Sequence, residues 1–339
     1  MKNLSTFNIQ NRRYLGNKSK LMPFILDVVR QNCGKIDVVA DIFAGTGSVA
    51  SAFNDKIIIT NDLMQSNFIC NLAWFGSEPF DKTKIAKILK EFNNYNELES
   101  NYMSENFSNT YFSKKVCSKI GYIRENIENK FKNGEINERE RAILITSLLY
   151  AMDKIAATCG HYDAYRKGAI LTDNITLAIP LVNSKNNPKN RCFNEDANKL
   201  ARQISADLVY IDPPYNSRQY SDSYHLLENV ATWQKPKVSG VAKKMDRLAI
   251  KSQYCGANAN EAFADLIENT QAKYILFSYN NMANKGNDRS NAKISDEVIM
   301  DTLGKKGKVL VFLQKYKAFS TGKSEIKDNA ERLFLCEVS

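Results

Sequence analysis

The sequence predicts an α/β fold: a doubly wound, mostly parallel sheet with an antiparallel hairpin at one edge and a helical insertion within the chain. Three observations carry this expectation. Residues 36–60 read as strand, glycine-containing turn, helix and strand. Strand-like runs fade near residue 75 and resume near residue 191. The last two runs, 309–313 and 333–338, flank a polar stretch containing Lys and Gly, as the arms of an edge hairpin would.

Taken in order, residues 19–30 place Leu21, Phe24, Ile25, Val28 and Val29 at helical spacing, with Ser19 as N-cap and Pro23 in the tolerated first turn. Residues 36–42 form an apolar, β-branched run that ends at Phe43-Ala44-Gly45-Thr46-Gly47-Ser48, after which 49–53 can start a helix. Residues 56–60 make a second short strand ending at Asn61-Asp62. Long helical patterns then dominate, notably 138–157, whose apolar face is broad enough to be largely buried. Strand-like runs return at 191–194, 206–211 and 274–278. The expected division is therefore a sheet-bearing domain in two pieces, 1–75 and 189–339, with 76–188 inserted between them. No internal repeat or low-complexity tract interrupts it.

With 339 residues and 43% hydrophobic content, the chain can bury the core of one large or two ordinary domains. Its longest apolar stretch, 142–152, is broken by Thr146 and Ser147 and is too short to span a bilayer. Residues 1–13 contain no apolar signal region, so a cytoplasmic location is expected. Seven cysteines without a CxxC pair, and only His161 and His225 as histidines, argue for reduced thiols and against a zinc site or disulfide framework. The two histidines read as hydrogen-bonded structural residues. Net charge of +10 favours a polyanionic partner. Within 235–251, Lys235, Lys237, Lys243, Lys244, Arg247 and Lys251 stand against Asp246 alone. A second basic run comprises Lys305, Lys306, Lys308, Lys315, Lys317, Lys323 and Lys327. Either run reads equally well as a solvated loop.

The turn that begins at Asp41 can receive a nucleoside-containing ligand, because its glycines turn tightly at the carboxyl end of a central strand. It is not GxGxxG, and no GxxxxGK[ST] occurs, so nicotinamide and P-loop readings lose support. Asp62, 21 residues after Asp41, suits a carboxylate that accepts hydrogen bonds from ribose hydroxyls. Asp212-Pro213-Pro214-Tyr215 follows the run 206–211. Proline cannot donate to a strand ladder, so the backbone leaves the sheet at Pro213. A carboxylate, a free proline carbonyl and an aromatic face then lie together, a set suited to gripping a flat base through its exocyclic amine. A proline-terminated strand with a solvated Asp and a packing Tyr fits the tetrapeptide equally.

Arg13-Tyr14-Leu15-Gly16-Asn17-Lys18, the turn from Asp41 to Gly47, Asn61-Asp62, Asp196-Ala197 and Asp212-Pro213-Pro214-Tyr215, in that order, resemble the alpha class of DNA adenine methyltransferases, the Dam-like enzymes. Asn216-Ser217-Arg218-Gln219-Tyr220, followed by Tyr224-His225-Leu226-Leu227-Glu228, is similar to the methylases of type IIS restriction-modification systems. The resemblance implies a Rossmann-like S-adenosylmethionine-dependent methyltransferase sheet, with 76–188 as target-recognition region. It implies S-adenosylmethionine as methyl donor. Tyr14 and Lys18 match the N-terminal cofactor motif, although many members carry Trp where Tyr14 stands. Phe43, Ala44, Gly45, Thr46 and Gly47 would line the methionine end, Asp41 would support that loop, Asp62 would hold the ribose, and Asp212 would border the donor. Asp196 would contact the cofactor adenine, or else serve as helix N-cap ahead of Ala197. Asp212 and the Pro213 carbonyl would accept the target amine's hydrogens, with Pro214 and Tyr215 completing the base site and no metal required.

The implied partners are double-stranded DNA and a cognate restriction endonuclease acting on the same site, with a monomer as the default state. Arg218, Tyr220, Lys243, Lys244 and Arg247 are the expected DNA contacts, because interleaved aromatic and basic side chains hold phosphates and fill the gap left by an extruded base. His161-Tyr162-Asp163-Ala164-Tyr165-Arg166-Lys167 would read base edges or simply pack. Phe277-Ser278-Tyr279-Asn280 would border the pocket or belong to the core. Methylation of a cytosine amine or of an RNA base is the enzymatic rival; Asp rather than Ser at 212 favours adenine, and the N-terminal segment with the large insertion favours DNA. A non-catalytic homologue is the third reading, against which Gly45, Gly47, Asp62, Asp212 and Tyr215 all stand intact.

Overall fold

In the computed structural model, residues 4–280, 292–315 and 330–339 are described. The apolar runs pair as strands: Val38–Asp41 (β1), Ile57–Asn61 (β2), Arg191–Phe193 (β3), Ser205–Ile211 (β4), Gln271–Asn280 (β5), Gly307–Lys315 (β6) and Ala330–Val338 (β7). They form one sheet of spatial order β3-β2-β1-β4-β5-β7-β6. β1 to β5 are mutually parallel, and β7 runs antiparallel to both β5 and β6. The sheet is thus mostly parallel with an antiparallel edge, β6 being the outermost strand.

Both faces of the sheet are buried, so strand residues alternate between two cores. Val39, Ile58, Leu208, Tyr210 and Leu276 point into one, and Ala40, Ile59, Val209, Ile211, Ile275 and Phe277 into the other. The first face is covered by Met22–Asn32 (α1), Ser48–Ser51 (α2) and Gln65–Phe75 (α3), then by Lys82–Asn94 (α4), Tyr102–Phe107 (α5), Lys114–Lys132 (α6) and Glu138–Ile155 (α7). Ile85, Ile120, Ile123, Leu144 and Leu148 of the helical segment share one continuous core with Val39 and Leu208. α7 is capped by Asn137 and Glu140 in a reciprocal box and is buried on nearly every side. A two-residue parallel ladder, Thr6–Phe7 with Ile179–Pro180, staples the N-terminal segment to the end of this helical region.

Ala197–Ala201 (α8) follows β3, Tyr220–Ser223 (α9) and His225–Thr232 (α10) follow β4, and Ala259–Asn269 (α11) and Asp296–Gly304 (α12) pack on the second face. The first helix begins later than its spacing suggests. Ser19–Leu21 is a 3-10 turn, α1 starts at Met22, and Ser19 bonds Asn17 Oδ1 through its hydroxyl instead of capping the helix. No helix among the described residues is long and apolar enough to cross a membrane. Of the second basic run, Lys317, Lys323 and Lys327 lie outside the described residues.

From β1 the chain winds outward through β2 to β3, then returns to β4 on the other side of β1. Loops leaving β1 and β4 therefore diverge at their carboxyl ends, which opens a crevice there.

Candidate functional site

That crevice is an open cleft of about 950 Å³. Its first wall is the turn after β1, where Gly45 and Gly47 adopt left-handed φ values of 52° and 80°. Asp62 braces this turn: Oδ2 accepts from Gly45 N at 2.8 Å and Oδ1 from Met64 N at 2.9 Å. Asn61 fastens the neighbouring strand ends, donating to the Ile42 and Glu195 carbonyls at 3.1 Å each and accepting from Glu195 N at 3.0 Å. These bonds gather the ends of β1, β2 and β3 around one space, so Asp41, Asp62 and Asp196 face it together.

Tyr14, Lys18, Phe43, Ala44, Gly45, Thr46, Asp212, Pro214 and Tyr220 also line the cleft. Gly47, Pro213 and Tyr215 are not part of its wall. A Cβ on Gly47 would lie 2.4 Å from Asn71 Oδ1 and 2.8 Å from Phe75, so this glycine faces α3 and serves packing behind the turn. Asp196 takes the capping role: Oδ1 accepts from Asn198 N and Lys199 N at the start of α8, which leaves Oδ2 with its acceptor capacity. Tyr215 packs edge-on to Tyr279 at 6.3 Å, and its carbonyl accepts from Lys293 N at 2.9 Å.

The cleft is crowded with carboxylates. Asp41 is 1% exposed, and among the described residues neither of its oxygens has a partner within hydrogen-bond geometry. Burial, reinforced by Asp212, pushes its carboxyl up to about 8, and looser contacts with the Ala50 and Phe43 peptide groups offset only part of this. Burial also raises Asp62. It pushes Asp212 up to about 7 against the opposing pull of Lys18. The Lys18 ammonium lies 3.2 Å from Asp212 Oδ1 and also bridges to Glu331 Oε1. Glu331 in turn accepts from Ser278 Oγ at 2.9 Å.

One side of the cleft is an aromatic stack. Tyr14 stacks with Tyr224, at 4.7 Å, and with Tyr220, at 5.3 Å, these two being 6.3 Å from each other, while Tyr224 accepts a hydrogen bond from Leu15 N at 2.7 Å. The buried Arg12 guanidinium lies over Tyr14 and is 3.5 Å from Asp153. Further along α10, Glu228 accepts from Gln65 N and Ser66 N, both at 2.8 Å, and so caps α3 just beyond Asp62. Opposite, Gln219 exchanges two hydrogen bonds with Ser252, which holds the strap containing Ile250 and Tyr254 against the cleft.

The expected DNA contacts are distributed differently from their sequence spacing. Tyr220 belongs to the aromatic stack. Lys244 pairs with Asp163 at 2.9 Å and lies 3.6 Å from Asp222, and Arg247 pairs with Asp222 at 2.7 Å. Lys235 pairs with Glu125 at 2.6 Å. Arg218 is exposed, and neither it nor Lys243 has an acidic partner among the described residues. Tyr162 is buried and donates to Asp153 at 2.8 Å, which makes it a packing residue. His225 is buried with Nε2 2.9 Å from the Tyr162 carbonyl, and burial lowers its pKa to about 4. Phe277 is a core aromatic stacked with Tyr279 at 5.3 Å. Tyr254 and Glu331 complete the site without any signal in their sequence context, and Asn61 and Glu228, present in the motifs that carry the resemblance, take bracing roles that those motifs did not specify.

Fold and site together define a mostly parallel α/β protein whose carboxylate-walled cleft lies at the crossover of the sheet, next to a proline-broken strand end. The family model for D12 class N6 adenine-specific DNA methyltransferases matches residues 14–284. The chain belongs to that family. It is 36% identical to the modification methylase StsI of Streptococcus sanguinis over 79% of its own length and 44% of that protein. It is 30% identical to the modification methylase LlaI of Lactococcus lactis subsp. lactis over 95% of its own length and 53% of the relative. With the type II methyltransferase M.NlaIII of Neisseria lactamica it shares 30% identity over 79% of its own length and 83% of the relative. The chain thus spans about half the length of StsI and LlaI.

Proposed function

We propose that the chain transfers a methyl group from S-adenosylmethionine to the exocyclic amine of adenine at a specific site in double-stranded DNA, as the modification arm of a restriction-modification system. The observation that carries this reading is Asp212, a carboxylate at a proline-broken strand end that borders the same cleft as Asp41, Gly45 and Asp62. The cleft suits the donor: Asp41 presents two buried oxygens that have no hydrogen-bond partner among the described residues, which call for a ligand bringing positive charge and N–H donors. Asp41 with the turn Phe43-Ala44-Gly45-Thr46 would hold its methionine end, Asp62 its ribose and Asp196 its adenine. When bound, S-adenosylmethionine supplies an electrophilic methyl group on a sulfonium.

The target amine is a poor nucleophile, because its lone pair is delocalised into the ring. Asp212 and the Pro213 carbonyl accept its two hydrogens, draw the nitrogen towards tetrahedral geometry and aim the lone pair. Lys18 engages Oδ1 of Asp212, which leaves Oδ2 for an amine hydrogen. Only the ionised carboxylate accepts without donating, so this function strengthens as pH rises through about 7. Tyr215, backed by Tyr279, stacks on the extruded base. Arg218 and Lys243 meet phosphates, residues 76–188 take part in target recognition, and a cognate endonuclease acts on the same site in the cytoplasm.

The test is tritium transfer from labelled S-adenosylmethionine to duplex DNA, RNA and free nucleosides, followed by identification of the modified base. N6-methyladenine in duplex DNA is expected, and Asp212→Ala should abolish it while calorimetry still detects donor binding. Label found only on cytosine or RNA, or near-normal turnover of Asp212→Ala, refutes the assignment.

A further inference from the structure

Lys18 is the one cationic side chain lining the cleft among the described residues, and two carboxylates share it. Asp212 is the residue that the proposed chemistry uses. Glu331 is not: it lies on β7, paired in register with Asn280 of β5, and is absent from the cleft wall. It is nevertheless buried, and Ser278 Oγ on β5 holds the same oxygen that engages Lys18. A lysine ammonium is a mobile point charge on a four-carbon stem and does not fix its own direction. Among the described residues the only direct ionic contact to Asp212 is Lys18, so whatever aims the lysine also aims the carboxylate.

We propose that Glu331 is a positioning residue for the transfer: anchored by Ser278, it fixes the Lys18 ammonium against Oδ1 of Asp212, so that the other oxygen is presented to the target amine. This rests on the reading that Asp212 receives that amine. The groups facing Asp212 and Lys18 are Asp41 at the end of β1, Tyr210 on β4, Tyr215 and Tyr220 in the segment beyond, and Glu331 on β7. Among them Glu331 makes Asp212 hold its proton more tightly, and Lys18 opposes it. Glu331→Gln removes this repulsion and leaves Lys18 a single charged partner in the cluster, so Asp212 ionises at lower pH. The same change loosens the lysine, so the rate on the plateau falls even as the acid limb moves down.

The experiment is single-turnover methylation of duplex DNA as a function of pH, with the full chain saturated in S-adenosylmethionine. Glu331→Gln and Ser278→Ala are measured with Lys18 present and again in a Lys18→Met background. Glu331→Gln should lower the plateau roughly tenfold to a hundredfold, the scale of a misplaced reacting group. It should shift the acid limb to lower pH and leave donor affinity unchanged. Ser278→Ala should lower the plateau less, and neither substitution should lower the plateau further once Lys18 is Met. An acid limb that does not move, or an equal further loss in Lys18→Met, overturns the proposal. If Glu331→Gln does not fold, Ser278→Ala decides through the same Lys18 comparison. Absence of any methyl transfer by the unsubstituted protein would instead overturn the functional reading itself.

Discussion

Gly47→Ala separates two uses of a glycine in a ligand-facing turn. At φ 80° an alanine meets the left-handed penalty of about 1–2 kcal/mol. Its Cβ would also lie 2.4 Å from Asn71 Oδ1, 2.8 Å from Phe75 and 3.2 Å from Ile9, an overpacking that adds about 1–3 kcal/mol. Gly134 supplies the control: its φ is 72° and, among the described residues, nothing lies within 4 Å of a built Cβ, so Gly134→Ala carries the backbone penalty alone. Denaturant unfolding of the ligand-free protein should therefore show a loss of about 2–5 kcal/mol for Gly47→Ala and about 1–2 kcal/mol for Gly134→Ala. Against a total stability of about 5–15 kcal/mol, that difference is readily measured as a shift in midpoint. If the two variants lost the same stability while Gly47→Ala selectively lost S-adenosylmethionine affinity, Gly47 would serve ligand approach, and the packing argument would be wrong.

Asp41→Asn should stabilise the ligand-free protein. A carboxyl held near 8 in the fold and near 4 when unfolded favours folding only while protonated, so the advantage of Asn should open between about pH 4 and pH 8 and stay level above, read from thermal midpoints. On DNA, Lys243→Ala should reduce the slope of log affinity against log salt by about one. Lys244→Ala should change it less, because Lys244 is already neutralised by Asp163; equal slope changes would show that the ion pair opens on DNA.

What could be read from the sequence was what repeats along the chain. β1, β2, β4 and β5 are apolar runs ended by turn residues, and burial on both faces makes such runs visible without partners. Asp212-Pro213 was legible because proline ends a strand regardless of its surroundings. The late start of α1 was not, because it depends on where the Asn17 side chain points. The run 235–251 looked uncompensated because its acids, Glu125, Asp163 and Asp222, come from other segments. Glu331 carried no local signal for the same reason, since its partners are Lys18 and Ser278. The side of the turn that Gly47 faces likewise depends on α3, not on glycine spacing.

The same cleft carries a final, independent consequence. Asp41 and Asp212 interact with each other, and burial raises them to about 8 and about 7 in the ligand-free protein. They titrate as a pair, so near pH 7.5 the two together hold roughly one proton. A ligand that brings net positive charge into the cleft favours their ionised forms and must expel part of that proton. Binding of S-adenosylmethionine should therefore release up to about one proton at pH 7.5, with release falling towards zero well above pH 9, where both carboxyls are already ionised. Calorimetric titration in buffers of different ionisation enthalpy reads the number directly from the slope of observed against buffer enthalpy. Asp41→Asn should reduce the release, because it removes one of the two carboxyls that share the proton. Binding without proton release at pH 7.5 would show that the donor's charge does not reach these carboxylates, and with it would fall the placement of the methionine end beside Asp41.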